Sequence, residues 1–207
     1  MRTSGMLYIV DDDPAVRRSL GRLLRSAGYE TRAFSCANDF LLANSEQTAG
    51  CLILDLAMPG MSGLELQQSL LRADWRRPII FLSGKADISK SVRAMKRGAV
   101  NFLTKPVDAR ELFASVEEAL TLDASERAAR SRRHGVTQRI ATLTPRERQV
   151  LSRVVAGKIN KEIAAELGTA EKTVKVHRSR VMRKMRAASV VELVKLASLG
   201  GIQTANP

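Results

Sequence analysis

No aromatic residue follows position 122 in this 207-residue chain, although two Tyr, five Phe and one Trp precede it. The C-terminal part therefore lacks the rings on which readers of single-stranded RNA stack bases, and if it binds nucleic acid, duplex DNA suits it better. Cysteine is scarce: Cys36 and Cys51 stand alone without metal-type spacing, and Cys51 heads an apolar run. Both read as buried thiols of a reducing compartment, and no disulfide is expected. No apolar stretch approaches the roughly 20 residues needed to cross a bilayer. The start, Met1-Arg2-Thr3-Ser4-Gly5, leads into a short strand-like segment rather than a secretory signal. A cytoplasmic protein without membrane contact is expected.

Apolar content of 44% suffices for ordinary cores in one large or two small domains. Charge divides the chain more sharply. Residues 1–122 carry 16 basic against 14 acidic side chains, a net of +2, whereas residues 123–207 carry 18 against 7, a net of +11. A small, strongly basic module beside a nearly neutral one points to a polyanion partner, most simply nucleic acid. The bland alternative is a solvated basic surface.

The first 122 residues alternate strand and helix patterns five times. Strands are expected at 7–10, 31–34, 51–54, 79–82 and 100–103, and helices at 15–27, 38–43, 64–72, 88–97 and 109–122. Asp13-Pro14 reads as a cap followed by proline at the first helical position, with Gly28 as a stop. Runs such as Cys51 to Leu54, without polar alternation, suit strands covered on both faces of a parallel sheet. The expected fold is a doubly wound, five-stranded α/β domain. Residues 123–139 read as a partly helical linker. Residues 140–207 read as a small all-α domain, with helices from the Thr144-Pro145 cap to near Gly157, from the Asn160 cap through 161–167, over about 172–185, and from the Ser189 cap to Leu199. The short helix, Gly168 turn and longer basic helix form a helix-turn-helix pattern.

Ligands of a doubly wound sheet sit outside the carboxyl ends of its strands. Asp11, Asp12, Asp55, Ser83 and Lys105 each stand at, or just past, such an end. Capping explains Asp13, but adjacent Asp11 and Asp12 repel unless a cation or basic group offsets them. Mg²⁺, a hard ion that takes oxygen ligands and bridges to phosphate, suits the place. A carboxylate beside it can attack phosphorus to give an aspartyl phosphate, with Lys105 and the Ser83 hydroxyl neutralising phosphoryl oxygens.

These residues resemble a two-component response-regulator receiver domain, of flavodoxin-like fold, over roughly residues 5–122. The matching elements are Val10-Asp11-Asp12-Asp13, Leu54-Asp55 with Met58-Pro59-Gly60-Met61-Ser62-Gly63, Leu82-Ser83-Gly84 and Thr104-Lys105-Pro106. The resemblance implies that Asp55 is the phosphoacceptor, and that Asp11, Asp12, Asp55 and the Ala57 carbonyl hold Mg²⁺. It also implies that Ser83 and Lys105 sense phosphate and that the Lys105-Pro106 bond is cis. The switch aromatic of the family is Phe102 here, which lacks a hydroxyl; a switch role and plain core packing both remain open for it. A haloacid-dehalogenase-type phosphatase also forms an aspartyl phosphate, but carries a second acid two residues later, where this chain has Ala57. Self-phosphorylation and slow autodephosphorylation, rather than enzymatic turnover, are expected.

Leu143 to Leu151, Asn160-Lys161-Glu162-Ile163-Ala164 and Thr173-Val174-Lys175-Val176-His177 look like a LuxR-type helix-turn-helix, so the whole chain resembles a FixJ/NarL-type response regulator. At 100° per residue Val174, Val181 and Met185 point inward, whereas Lys175, Val176, Ser179 and Arg183 point outward. Lys175 is placed for guanine or phosphate and Val176 for a thymine methyl. Arg178 falls near the inward stripe and is expected to snorkel to a phosphate. Lys161 and Lys172, near helix starts, read equally as phosphate clamps and solvated charges. With Thr173 these residues complete the candidate DNA-facing set. The implied partners are a histidine kinase, promoter DNA, a second copy of the chain on phosphorylation, and RNA polymerase. A protein- or RNA-binding output is the alternative.

Overall fold

The computed structural model describes residues 5–43, 49–73, 75, 77–84 and 88–202. The expected start at Met1 to Ser4 and the end beyond Ile202 lie outside these. Two compact units are present, Met1–Arg127 and Ala128–Pro207.

In the first unit β1 (Met6–Val10), β2 (Glu30–Phe34), β3 (Gly50–Asp55), β4 (Ile79–Ser83) and β5 (Asn101–Thr104) form one parallel sheet in the order β2-β1-β3-β4-β5. Alternation sorts the strand side chains onto two cores. Leu7, Ile9, Cys51, Ile53, Ile80 and Leu82 join Leu20 and Leu24 of α1 (Pro14–Ser26) and Leu112 and Val116 of α5 (Ala109–Ala141). Tyr8, Val10, Leu52, Leu54 and Phe81 face the other way, with Phe40 of α2 (Ala37–Ala43), Leu66 of α3 (Gly63–Arg72) and Ala94 of α4 (Ile88–Lys96). Every residue of β3 and β4 is buried, which accounts for their unbroken apolar runs. Cys51 is buried and its thiol is pushed up to about 12 by burial and the nearby Asp123 charge, whereas Cys36 is only partly buried, less than the sequence suggested.

The stretch expected as a linker, 123–139, differs most from expectation. It is helical throughout as part of α5, and both of its ends are built into cores. Asp123, 2% exposed, accepts the Gly50 N–H at 3.0 Å in the first unit. Val136, 1% exposed, joins the core of the second unit, with Ile140 packed against it. The periodicity was hard to read because Val136 is the one large apolar residue of 123–139, among many Arg, Ala and Ser.

The second unit adds α6 (Pro145–Val155), α7 (Asn160–Leu167), α8 (Glu171–Met185) and α9 (Val190–Leu199). Thr144 and Glu147 form the expected capping box of α6, Gly168 closes α7 at φ 59°, and Ser189 caps α9. Asn160 does not cap α7. It is the helix's first residue, and the preceding Ile159 N–H donates to the Glu162 carboxylate at 2.8 Å.

Candidate functional site

Strand register brings the acids together. Val10 pairs with Leu54, so Asp11 lies level with Asp55; Asp55 pairs with Leu82, one step before Ser83; Ser83 pairs with Thr104, one step before Lys105. β1 and β3 are also the neighbours between which the chain order reverses.

The Lys105 ammonium sits between two carboxylates, 2.6 Å from Asp11 Oδ2 and 2.7 Å from Asp55 Oδ1. The remaining oxygens accept backbone N–H groups, Asp11 Oδ1 from Asp13 at 2.9 Å and Asp55 Oδ2 from Ala57 at 2.9 Å. Arg17 Nη1 donates to the Asp11 carbonyl at 2.7 Å, a contact that sequence reading missed. Burial raises the Asp11 carboxyl above its ordinary 3.8, outweighing the lowering by Lys105 and the Asp13 N–H. For Lys105 burial works downward, but the hydrogen bonds to Asp11 and Asp55 together carry it above 10.5. The arrangement stores a cation on a buried acid pair.

Ser83 is buried beside this pair, and the Lys105 N–H donates to its carbonyl at 2.7 Å. The Lys105-Pro106 bond is cis. Phe102 is half-buried and stacks on Phe81 with ring centroids 6.4 Å apart. Asp12 and Ala57 are exposed, and among the described residues no three acidic, His or Cys side chains are grouped to hold a metal. The close constellation is thus two acids and a lysine, and the neighbouring Asp12 is exposed. Gly63 also shapes it: a Cβ there would run into the Asp55 carbonyl oxygen, so α3 approaches the end of β3 only through glycine. The motif contained this residue, but the reason for it needed three dimensions.

In the second unit Val174, Val181 and Met185 are fully buried, as the helical phase required. Lys161, Lys172, Thr173, Lys175, Val176, Ser179 and Arg183 are all exposed. Lys175 makes only a loose 3.4 Å pair with Glu171. Arg178, expected to reach a phosphate, donates from Nη1 to Asn160 Oδ1 at 2.9 Å. Other cations also turn inward. Lys184 Nζ bonds Glu147 Oε2 at 2.6 Å and the Thr142 carbonyl at 3.0 Å, and Arg139 Nη1 bonds the Met185 carbonyl at 2.8 Å. Burial opposes ionisation of Glu147, yet Lys184 and the Thr144 N–H hold its carboxyl below the ordinary 4.5. The sequence showed Glu147 as a capping acid; nothing in the sequence flagged its second partner, 37 residues away.

Comparison with known proteins agrees with both halves. Residues 7–117 match the response regulator receiver domain family, and residues 141–197 match the luxR family of bacterial regulatory proteins. Nodulation protein W of Bradyrhizobium diazoefficiens is 43% identical over 200 residues, covering 97% of this chain and 88% of that protein. Transcriptional regulatory protein FixJ of Azorhizobium caulinodans is 42% identical over 200 residues, covering 97% and 95%. Among solved structures, the response regulator StyR superposes with a TM-score of 0.86 at 46% identity over 93% of this chain and 98% of its own. Full-length FixJ from B. japonicum gives 0.60 at 39% identity over 97% and 99%. With a parallel receiver sheet, a helix-turn-helix unit and relatives of this kind along nearly its whole length, the chain belongs to the FixJ/NarL-type response regulators, transcriptional regulators of two-component systems.

Proposed function

We propose that Asp55 is the phosphoacceptor and takes its phosphoryl group from the phosphohistidine of a partner histidine kinase. A carboxylate oxygen of Asp55 attacks phosphorus in line, the P–N bond breaks, and the imidazole leaves with the electron pair. The observation that carries this reading is the Asp11–Lys105–Asp55 cluster, with both acids buried, at the carboxyl edge of the sheet. Lys105 neutralises one phosphoryl oxygen, and the Ser83 hydroxyl donates to another. Receiver domains bind Mg²⁺ at their acidic site, and the oxygen donors here fit a hard cation, as the ammonium already drawn to them indicates. Asp11, Asp12, Asp55 and the Ala57 carbonyl would hold it. When bound, it supplies further charge neutralisation at the phosphoryl oxygens. Ala57 offers no general acid for fast hydrolysis, so catalysis extends to self-phosphorylation and slow autodephosphorylation.

Phosphate then draws Ser83 and Phe102 inward and favours a state already accessible to α4 and β5. Ile88, Val92 and Met95 of α4, exposed by 78%, 44% and 44%, supply apolar surface for a homodimer. Two copies place two α8 helices on the half-sites of promoter DNA, where Lys175 and Val176 meet base edges. Lys161, Lys172, Thr173, Ser179 and Arg183 lie toward the backbone. RNA polymerase is the further partner at such a site. With acetyl phosphate as donor, the wild type gains label, doubles in mass in solution and binds promoter DNA more tightly. Asp55→Asn takes up no label and keeps the basal DNA affinity; label persisting in that variant overturns the assignment.

A further inference from the structure

We propose that Arg178 is a positioning residue, fixing α8 against α7 for base readout, and is not a contact to DNA phosphate. The inference rests on the reading of α8 as the DNA-reading helix. Arg178 Nη1 and Asn160 Oδ1 are 2.9 Å apart and half-buried, and they join the middle of α8 to the first residue of α7. Asn160 is free for this task because Glu162, through the Ile159 N–H, caps α7. By helical phase Arg178 lies about 40° from the buried direction of Val174, Val181 and Met185, so its stem runs along the α7–α8 seam. A planar guanidinium holds an acceptor in a defined direction, which a solvated point charge does not. The two helices meet nearby through apolar contacts, which permit sliding. The Arg178–Asn160 bond supplies a directional stop, and a shift of about 1 Å in α8 is enough to misalign bidentate contacts to base edges.

The test uses the full-length protein, phosphorylated with acetyl phosphate, and two probes. One is a duplex pool with a randomised centre; the other is the duplex that the wild type selects from it. Arg178→Ala and Asn160→Ala each weaken binding to the selected duplex about tenfold, and the double variant is no weaker than either single one. Binding to the random pool, and its dependence on salt, stay unchanged. Arg178→Gln keeps a donor without the charge and retains most of the selectivity. A salt slope shallower by about 0.9 in both Arg178 variants, with Asn160→Ala indifferent, would make Arg178 a phosphate contact and overturn the proposal. Equal losses on both duplexes, accompanied by a lower melting temperature, reduce the pair to general scaffold and overturn it too. If the wild type selects no duplex, the DNA-reading role of α8 fails, and this inference with it.

Discussion

Burial raises the Asp11 carboxyl while Lys105 lowers it, and the residue-scale behaviour of the site follows from that competition. The folded-state pKa of Asp11 lies above 3.8, so its ionisation works against the fold: the stability it contributes is full below 3.8 and is lost as pH rises through the folded value. Lys105, raised above 10.5, contributes stability that persists until alkaline pH. Lys105→Met leaves Asp11 and Asp55 facing each other without a cation and pushes Asp11 higher still. We expect a loss of about 3 kcal/mol at pH 7, narrowing on acidification as Asp11 takes up its proton. Urea unfolding followed by fluorescence of Trp75, the one tryptophan, reads this unit alone; a deficit that does not change between pH 7 and about pH 4.5 would refute it. Asp11, Asp55, Ser83 and Lys105 were legible because each ends or follows an apolar run, and strand register converts that position into proximity. The Arg178–Asn160 bond was not, because helical phase gives a direction but not the neighbour waiting there.

At the scale of elements, two contacts govern how the helices meet what they serve. Gly63 lets α3 start against the end of β3, and Gly63→Ala would drive a methyl group into the Asp55 carbonyl. The variant should lose about 2 kcal/mol and take up phosphoryl from acetyl phosphate several-fold more slowly; normal labelling kinetics would show that the loop absorbs the methyl. Glu147 ties α6 to α8 through Lys184, and its lowered pKa means that its contribution is present above 4.5 and fades as pH falls through the folded value. Glu147→Gln should therefore destabilise the second unit by about 2 kcal/mol at pH 7 and progressively less in acid, visible in the helical circular dichroism melt but not in Trp75 fluorescence. The strands were readable to within about a residue at most ends, β5 beginning at Asn101 rather than at 100. Helix α5 was readable over 109–122 but not in its unbroken extension to Ala141, because a mostly polar surface with isolated apolar positions gives no periodic stripe to follow.

Over the whole molecule, the excess of +11 in the C-terminal part overstates what faces a polyanion, since Arg139 and Lys184 donate to internal acceptors. The composition was right about the kind of partner and silent about which charges serve it. The same contacts set the limits of the second unit. A fragment of residues 128–207 keeps Val136, Ile140 and Arg139, whereas one of 141–207 loses all three. The longer fragment should be more stable by about 3 kcal/mol in a denaturant titration, and equal midpoints would show that these residues add nothing. The luxR-family likeness starts at 141, yet the fold it belongs to starts earlier, inside a helix that also serves the receiver. Exchange of output modules between regulators of this type, in the laboratory or over evolutionary time, therefore has a narrow seam. A splice near residue 128 transfers a complete DNA-binding body, and one placed where the family resemblance begins delivers it without its foundation.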